Sequence, residues 1–290
     1  VLPQFTDVAV MVRHRDGRSF FILPWQGQSI LGTTDTDYDG DPFAATATPE
    51  DVAYLVEAAR RYFPGAPLGQ VRYTYAGVRA LVNEEGVTES NVTRRHILYD
   101  HGAKDGVAGL WSLQGGKITT ARTLAEACVD RVARALGRRK LARLHPTRTV
   151  PYPGGVEDWP TFRVAALAQA RGLGIDEQAA ADLVDTYGAR WLEVARCDPR
   201  PEALQRIHPS HPTLGAQVTF AVRSEQATHL ADALLRRTTL GLAPGGNPAA
   251  AEAAARWMAP LLGWDAERQR RELEAYRAEC TVLAVPGAAN

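Results

Sequence analysis

One boundary constrains the fold of this chain more than any other feature. Composition shifts near Thr149, and almost no strand signal follows it. Pro151-Tyr-Pro-Gly-Gly155 marks the change and has the chemistry of a linker. Beyond it, apolar residues recur at helical spacing, which predicts helices over 160–171, 176–187, 188–196, 215–238, 248–262 and 265–281. Asp176 and Asp265 suit N-cap positions, Gly188 suits the residue after a helix end, and Glu267 with Arg271 forms a supportive i,i+4 pair. The alanine-rich run Ala249–Ala255 is simply a good helix former. The second half therefore reads as a separate helical domain.

The first half reads differently. Val8–Arg13 and Ser19–Leu23 flank Arg15-Asp-Gly-Arg18, and Asp-Gly between two β-rich runs signals a hairpin. Ser29–Thr34 follows the Gln26-Gly-Gln28 turn as a third strand, giving an antiparallel meander. A helix starts at Thr48, with Pro49 at its first position and Glu50 and Asp51 at its positive end. Val52, Leu55, Val56, Ala59 and Phe63 form its apolar stripe, and Pro64-Gly65 stops it. Further strands are predicted over Val71–Ala76, His96–Asp100 and Leu110–Leu113. A helix then runs from Ile118 to about Leu136, with Leu124, Cys128 and Val132 on one face and Gly137 as its stop. The fold class is α+β.

Composition narrows the function classes. Lys+Arg and Asp+Glu balance at 33 each, which argues against a nucleic-acid scaffold. Cys128, Cys197 and Cys280 lie far apart with no C-x-x-C, so free thiols are expected rather than a disulfide framework or a zinc site. No apolar run approaches transmembrane length, and the first residues lack the regions of a signal peptide. The chain does not begin with Met, which fits an excised or processed segment.

The stretch that carries chemistry is Leu113-Gln-Gly-Gly-Lys-Ile-Thr-Thr120. A strand, a glycine turn and a helix start bring a negatively polarised ligand group against free backbone N–H groups. Gly115 and Gly116 allow close approach, and Lys117 adds charge. The bland alternative is an ordinary turn with a surface lysine. No G-x-G-x-x-G follows a strand anywhere, so the chain reads as the latter part of a cofactor enzyme whose main cofactor-binding half lies upstream. Arg79, after Gly77 in Thr74–Arg79, and Arg94 sit at two expected strand ends. Their planar forks suit a carboxylate or phosphate, the alternative being two solvated or salt-bridged arginines. Asp35-Thr-Asp-Tyr-Asp-Gly40 copies the start of a calcium loop, but no Glu closes it, so a loop beside the cofactor site is expected and no metal. His96, two residues past Arg94, is a general-base candidate whose bland alternative is a partly buried structural histidine. Arg134, Arg138, Arg139, Lys140 and Arg143 form a basic run, either a solvated helix end or a contact with anionic lipid.

Taken in order, Phe21–Trp25, Gly32–Asp35, Thr48–Asp51, Tyr75–Arg79, Thr93-Arg94 and Gly115–Thr120 resemble the FAD-dependent, quinone-linked glycerol-3-phosphate dehydrogenases. Tyr187-Gly188, Val218–Glu225 and Leu234–Thr238 resemble that family's C-terminal domain. The resemblance implies three segments: residues 1–109 as a substrate-binding antiparallel β domain with one helix, 110–148 as the strand–turn–helix completing an FAD domain, and 149–290 as a helical cap. It implies that Arg79 and Arg94 grip the phosphate of sn-glycerol 3-phosphate, and that Lys117 sits near the flavin and the substrate oxygen. Gly115, Gly116, Lys117, Ile118 and Thr119 would form the FAD contact. The implied reaction is hydride transfer from substrate C2 to FAD, yielding dihydroxyacetone phosphate, with electrons passed to a quinone. A cytoplasmic protein, peripheral on the inner face of the cell membrane, and a homodimer are both compatible with it. Alternatives are a glycerol-3-phosphate oxidase using oxygen, or a non-catalytic dimerisation or membrane-docking fragment.

Overall fold

The computed structural model describes residues 1–79, 96–141, 144–243 and 246–287. They gather into two compact units, one formed by Val1–Gly77 with Val156–Asn290, the other by Val78–Gly155.

The first unit opens with four strands, β1 (Leu2–Pro3), β2 (Val10–Arg13), β3 (Ser19–Trp25) and β4 (Gln28–Gly32). All pair antiparallel, in the order β1-β4-β3-β2. The Asp-Gly hairpin forms as expected, with Gly17 at φ +87°. The next turn places Gln26 and Gly27 at φ +48° and +69°, the pairing that matches strand twist in a two-residue hairpin. Pro24 has no N–H, and it lies past Ile22, the last β3 residue paired with β2. Side chains alternate along β3: Phe20 and Ile22 are buried, whereas Phe21 and Leu23 are exposed on the other face with Met11 of β2.

Helix α1 (Pro49–Tyr62) covers the inner face. Its start is a reciprocal capping box: the Asp51 N–H donates to Thr48 Oγ1 at 3.2 Å, and the Thr48 N–H donates to Asp51 Oδ2 at 2.9 Å. Leu55, Val56, Ala58 and Ala59 pack on Phe20 and Ile22. The strand expected over Val71–Ala76 does not form. That extended segment bonds instead to the two chain ends: the Arg72 N–H donates to the Val1 carbonyl, and the Thr74 N–H to the Leu283 carbonyl. A backbone that serves partners on two sides builds no continuous ladder.

The helical part comprises α4 (Trp159–Gly172), α5 (Glu177–Tyr187), α6 (Trp191–Ala195), α7 (Gly215–Ser224), a π-helix (Asp232–Arg237), α8 (Pro248–Leu262) and α9 (Ala266–Glu279). Asp176 and Asp265 cap α5 and α9, and Glu267 pairs with Arg271 at 3.0 Å. The helix expected over 215–238 is broken. Gln226 takes φ +58°, and the Ala227 N–H returns to the Ala221 carbonyl, which closes α7. Two apolar clusters fill this part, one around Leu183, Val184 and Phe220, the other around Leu234, Met258 and Tyr276.

The second unit pairs β5 (Ile97–Asp100) antiparallel with β6 (Trp111–Gln114), with the short α2 (His101–Lys104) between them. Helix α3 (Ala121–Ala135) follows β6 and ends before Gly137, at φ +69°.

Candidate functional site

The predicted strand–glycine–helix junction lies in the second unit. β6 ends at Gln114, and the next two residues, Gly115 and Gly116, take φ +65° and +92°. Only glycine adopts these angles without strain. A Cβ at Gly116 would also come within 3.3 Å of the His96 Cβ, a tight contact, so space adds to the preference of the backbone angle for glycine there. Lys117 returns to an extended conformation, and a 3₁₀ turn over Ile118–Thr120 leads into α3. The Lys117 carbonyl accepts from the N–H and the hydroxyl of Thr120, both at 2.9 Å.

Like α6, α7 and α8, and unlike α1, α4, α5 and α9, this helix start has no side-chain cap. Each of α1, α4, α5 and α9 has a side-chain oxygen on its first N–H groups. Neither Lys117 nor Thr120 supplies one here. The N–H groups of Ile118 and Thr119 precede the first helical carbonyl, so they have no acceptor within the helix. Lys117 is exposed, and Ile118 is 91% exposed. The junction therefore presents backbone donors, the positive end of a helix and an ammonium group at one surface.

The other predicted residues fare differently. Arg79 is exposed at the end of the extended segment 71–79 rather than at a strand end. Arg94 lies outside the described residues. His96 is exposed, not partly buried, and its Cα and Cβ lie beside Gly116 just before β5 begins.

Two features escaped sequence reasoning. His101 Nδ1 lies 2.6 Å from Asp105 Oδ2, His101 Nε2 lies 2.8 Å from Ser112 Oγ, and the Tyr99 hydroxyl donates to Asp105 at 3.0 Å. A carboxylate only accepts, so Nδ1 carries a proton, while the Ser112 hydroxyl can serve Nε2 as donor or acceptor. This set ties α2 to β6, the strand that leads into the glycines. The i,i+4 spacing of His101 and Asp105 was its one visible signal. The second feature is on α3, where Arg148 and then Arg122 hold the Glu126 carboxyl well down, to about 2, which pins residues 146–148 to the helix.

Comparison with known proteins agrees with this layout. Residues 2–131 match the FAD dependent oxidoreductase family, and residues 145–269 match the C-terminal domain of alpha-glycerophosphate oxidase. A glycerol-3-phosphate dehydrogenase of Synechocystis sp. is 37% identical over 275 residues, covering 93% of this chain and 49% of that protein. Another, from Mycobacterium leprae, is 32% identical over 286 residues, covering 96% and 47%. The crystal structure of the glycerol-3-phosphate dehydrogenase from Bacillus halodurans, complexed with FAD, superposes with a TM-score of 0.76 at 27% identity, over 98% of this chain and 55% of that one. The chain belongs to the FAD-dependent glycerol-3-phosphate dehydrogenase family. It spans about half the length of these relatives. The family's two matched segments meet between residues 131 and 145, near the point where strand signals give way to helical ones. The α+β class and the helical C-terminal part agree with the family's solved structure.

Proposed function

We propose that this chain is the substrate-binding and helical part of a flavoprotein that oxidises sn-glycerol 3-phosphate to dihydroxyacetone phosphate. The observation that carries the reading is the β6–α3 junction, with its uncapped helix start behind two left-handed glycines and an exposed lysine. FAD, when bound, supplies the acceptor for the hydride that leaves substrate C2. Gly115, Gly116, Ile118 and Thr119 line its ring system through backbone groups, and the helix dipole favours negative charge there. Lys117 places a cation beside the flavin and the substrate oxygen. Arg79 and Arg94 hold the phosphate, whose oxygens match two planar forks. The C2 hydroxyl loses a proton as the hydride departs, so the complete site includes a base.

In this reading residues 1–109 form the substrate domain, 110–148 complete the FAD domain and 149–290 form the cap. Electrons pass to a quinone from a cytoplasmic homodimer held at the inner membrane face. Arg134, Arg138, Arg139 and Lys140 are exposed at the end of α3 and supply the lipid contact. No helix among the described residues is long and apolar enough to cross a membrane. A second reading, an oxidase that passes electrons to oxygen, is favoured by the description of the family matched over residues 145–269. Oxygen consumption by the full-length protein separates the two.

The substrate clamp is tested with Arg79→Ala in the full-length enzyme. Truncating one partner of a hydrogen-bonded charge pair costs about 2–5 kcal/mol, so KM for glycerol 3-phosphate should rise by at least about thirtyfold. An unchanged KM removes Arg79 from the clamp.

A further inference from the structure

A cleft of 250 Å³ lies in the first unit, between the β2–β3 turn and the end of α1. Its lining includes Arg13 at the end of β2, Arg15 from the turn, and Arg60 and Arg61 from the last turn of α1. Glu57 is the one carboxylate on the wall. Among the described residues, none of the four guanidiniums makes an ion pair or a side-chain hydrogen bond; Arg61 lies only loosely over the Tyr62 ring, at 6.0 Å. Several arginines elsewhere in the chain are closely paired. Arg163, Arg190, Arg200 and Arg206 each grip a carboxylate through two nitrogens.

The hairpin does carry an acid that could have neutralised the cleft, Asp16, but it is fully used. The Arg18 backbone N–H donates to it at 3.0 Å and holds its carboxyl well below the usual range, with the Arg18 guanidinium, Tyr54 and His14 adding to the effect. The walls are also fixed. The Tyr62 hydroxyl donates to the Arg13 carbonyl at 2.6 Å, and His14 stacks on Tyr54 at 4.3 Å. Arg60 and Arg61 gain something from the α1 dipole, but that offers only about half a negative charge against two cations.

We propose that this cleft binds a ligand carrying two or more clustered phosphate groups. One phosphate monoester carries at most two charges and is satisfied by a pair of arginine forks. Four forks around one fixed concavity match a diphosphate or a longer polyphosphate. Such a ligand comes either as a free phosphorylated molecule or as lipid headgroups crowded at a membrane surface. The inference is independent of the reading of the β6–α3 junction.

The test is calorimetric titration of the full chain with inorganic tripolyphosphate and, separately, with inorganic phosphate. Tripolyphosphate should bind saturably and at least about tenfold more tightly. Arg13→Ala/Arg60→Ala and Arg15→Ala/Arg61→Ala should each weaken it at least about tenfold. Arg171→Ala/Arg256→Ala, which removes the same charge from exposed helical positions, should not. Two cleft variants are used so that misfolding of either, read by circular dichroism, leaves the other informative; if both misfold, the titration of the unmutated chain alone decides. Cosedimentation with phosphatidylglycerol vesicles, reversed by tripolyphosphate and lost in the cleft variants, would assign the phosphates to lipid. Tripolyphosphate binding without cosedimentation would assign them to a soluble ligand. Absence of saturable binding, affinity for phosphate equal to that for tripolyphosphate, or equal losses in the cleft and control variants overturns the proposal.

Discussion

The helical part and the 78–155 unit are built from similar residues, yet they use them in opposite ways. In the helical part, small residues let larger ones close in. A Cβ on Gly215 would lie 2.5 Å from the Trp257 ring, and one on Gly246 would lie 2.4 Å from Cys280 Sγ. Most buried polar groups there are answered, the Tyr187 hydroxyl being an exception. Asp198 accepts from Thr219 and Arg200, Thr219 accepts in turn from the Trp257 indole, and Arg200 stacks on that ring at 4.0 Å. In the 78–155 unit, Ala133 is the one buried apolar residue among those described, while Val129, Leu136 and Leu144 are each more than 60% exposed. One region is held by burial. The other has its secondary structure from local signals and keeps its apolar surface outward, and a 15-residue helix without burial is marginal.

The largest expected difference is in amide exchange. Backbone amides of α5 and α8 should exchange at least about a thousandfold more slowly than those of α3, since exchange reports local opening. Equal protection would break the contrast. Single substitutions sharpen it. Leu183→Ala, at a fully buried position, should cost about 2–5 kcal/mol in chemical denaturation. Ile118→Ala should stay within about 0.5 kcal/mol in this chain, whatever its effect on flavin binding in the full-length protein. Gly215→Ala should cost about 1–3 kcal/mol, because the Trp257 ring must move. A loss below about 0.5 kcal/mol would show that the helical part packs more loosely than its geometry indicates.

The smallest effect concerns pH. Arg206 holds the Asp176 carboxyl down to about 2 from its ordinary 3.8, and Arg200 lowers that of Asp198 further. A carboxyl with a depressed folded pKa stabilises above its unfolded value and loses that contribution as pH falls through its folded one. The Tm of the helical part should therefore drop between pH about 4 and 2. Asp176→Asn should flatten part of that drop, and an unchanged slope would remove Asp176 from the account.

Much of this was legible in local chemistry. The Thr48 cap, the Asp16-Gly17 turn, the Asp176 and Asp265 caps and the Gly115–Gly116 junction each depend on residues within a few positions of one another. The exceptions share a cause. Val71–Ala76 has strand composition, but its hydrogen bonds go to residues at the two ends of the chain. Residues 215–238 have helical periodicity, but the break at Gln226 comes with Glu272 of α9, which accepts from the Leu230 N–H. The arginine cleft was equally hidden, because two of its arginines come from the β2–β3 hairpin and two from a helix more than 40 residues away.

The sequence by itself determined where most helices start and stop, which face of α1 is apolar, and where a glycine turn leads into a helix. Those properties follow from side-chain period, capping oxygens and backbone freedom, all of them local. Only the tertiary structure decided that 71–76 leaves the sheet, that α7 ends where it does, that Tyr54 of α1 joins Arg18 and His14 on Asp16, and that α3 begins without a cap. Each of these depends on which distant partner takes up a hydrogen bond or a charge, and that is set when the elements pack.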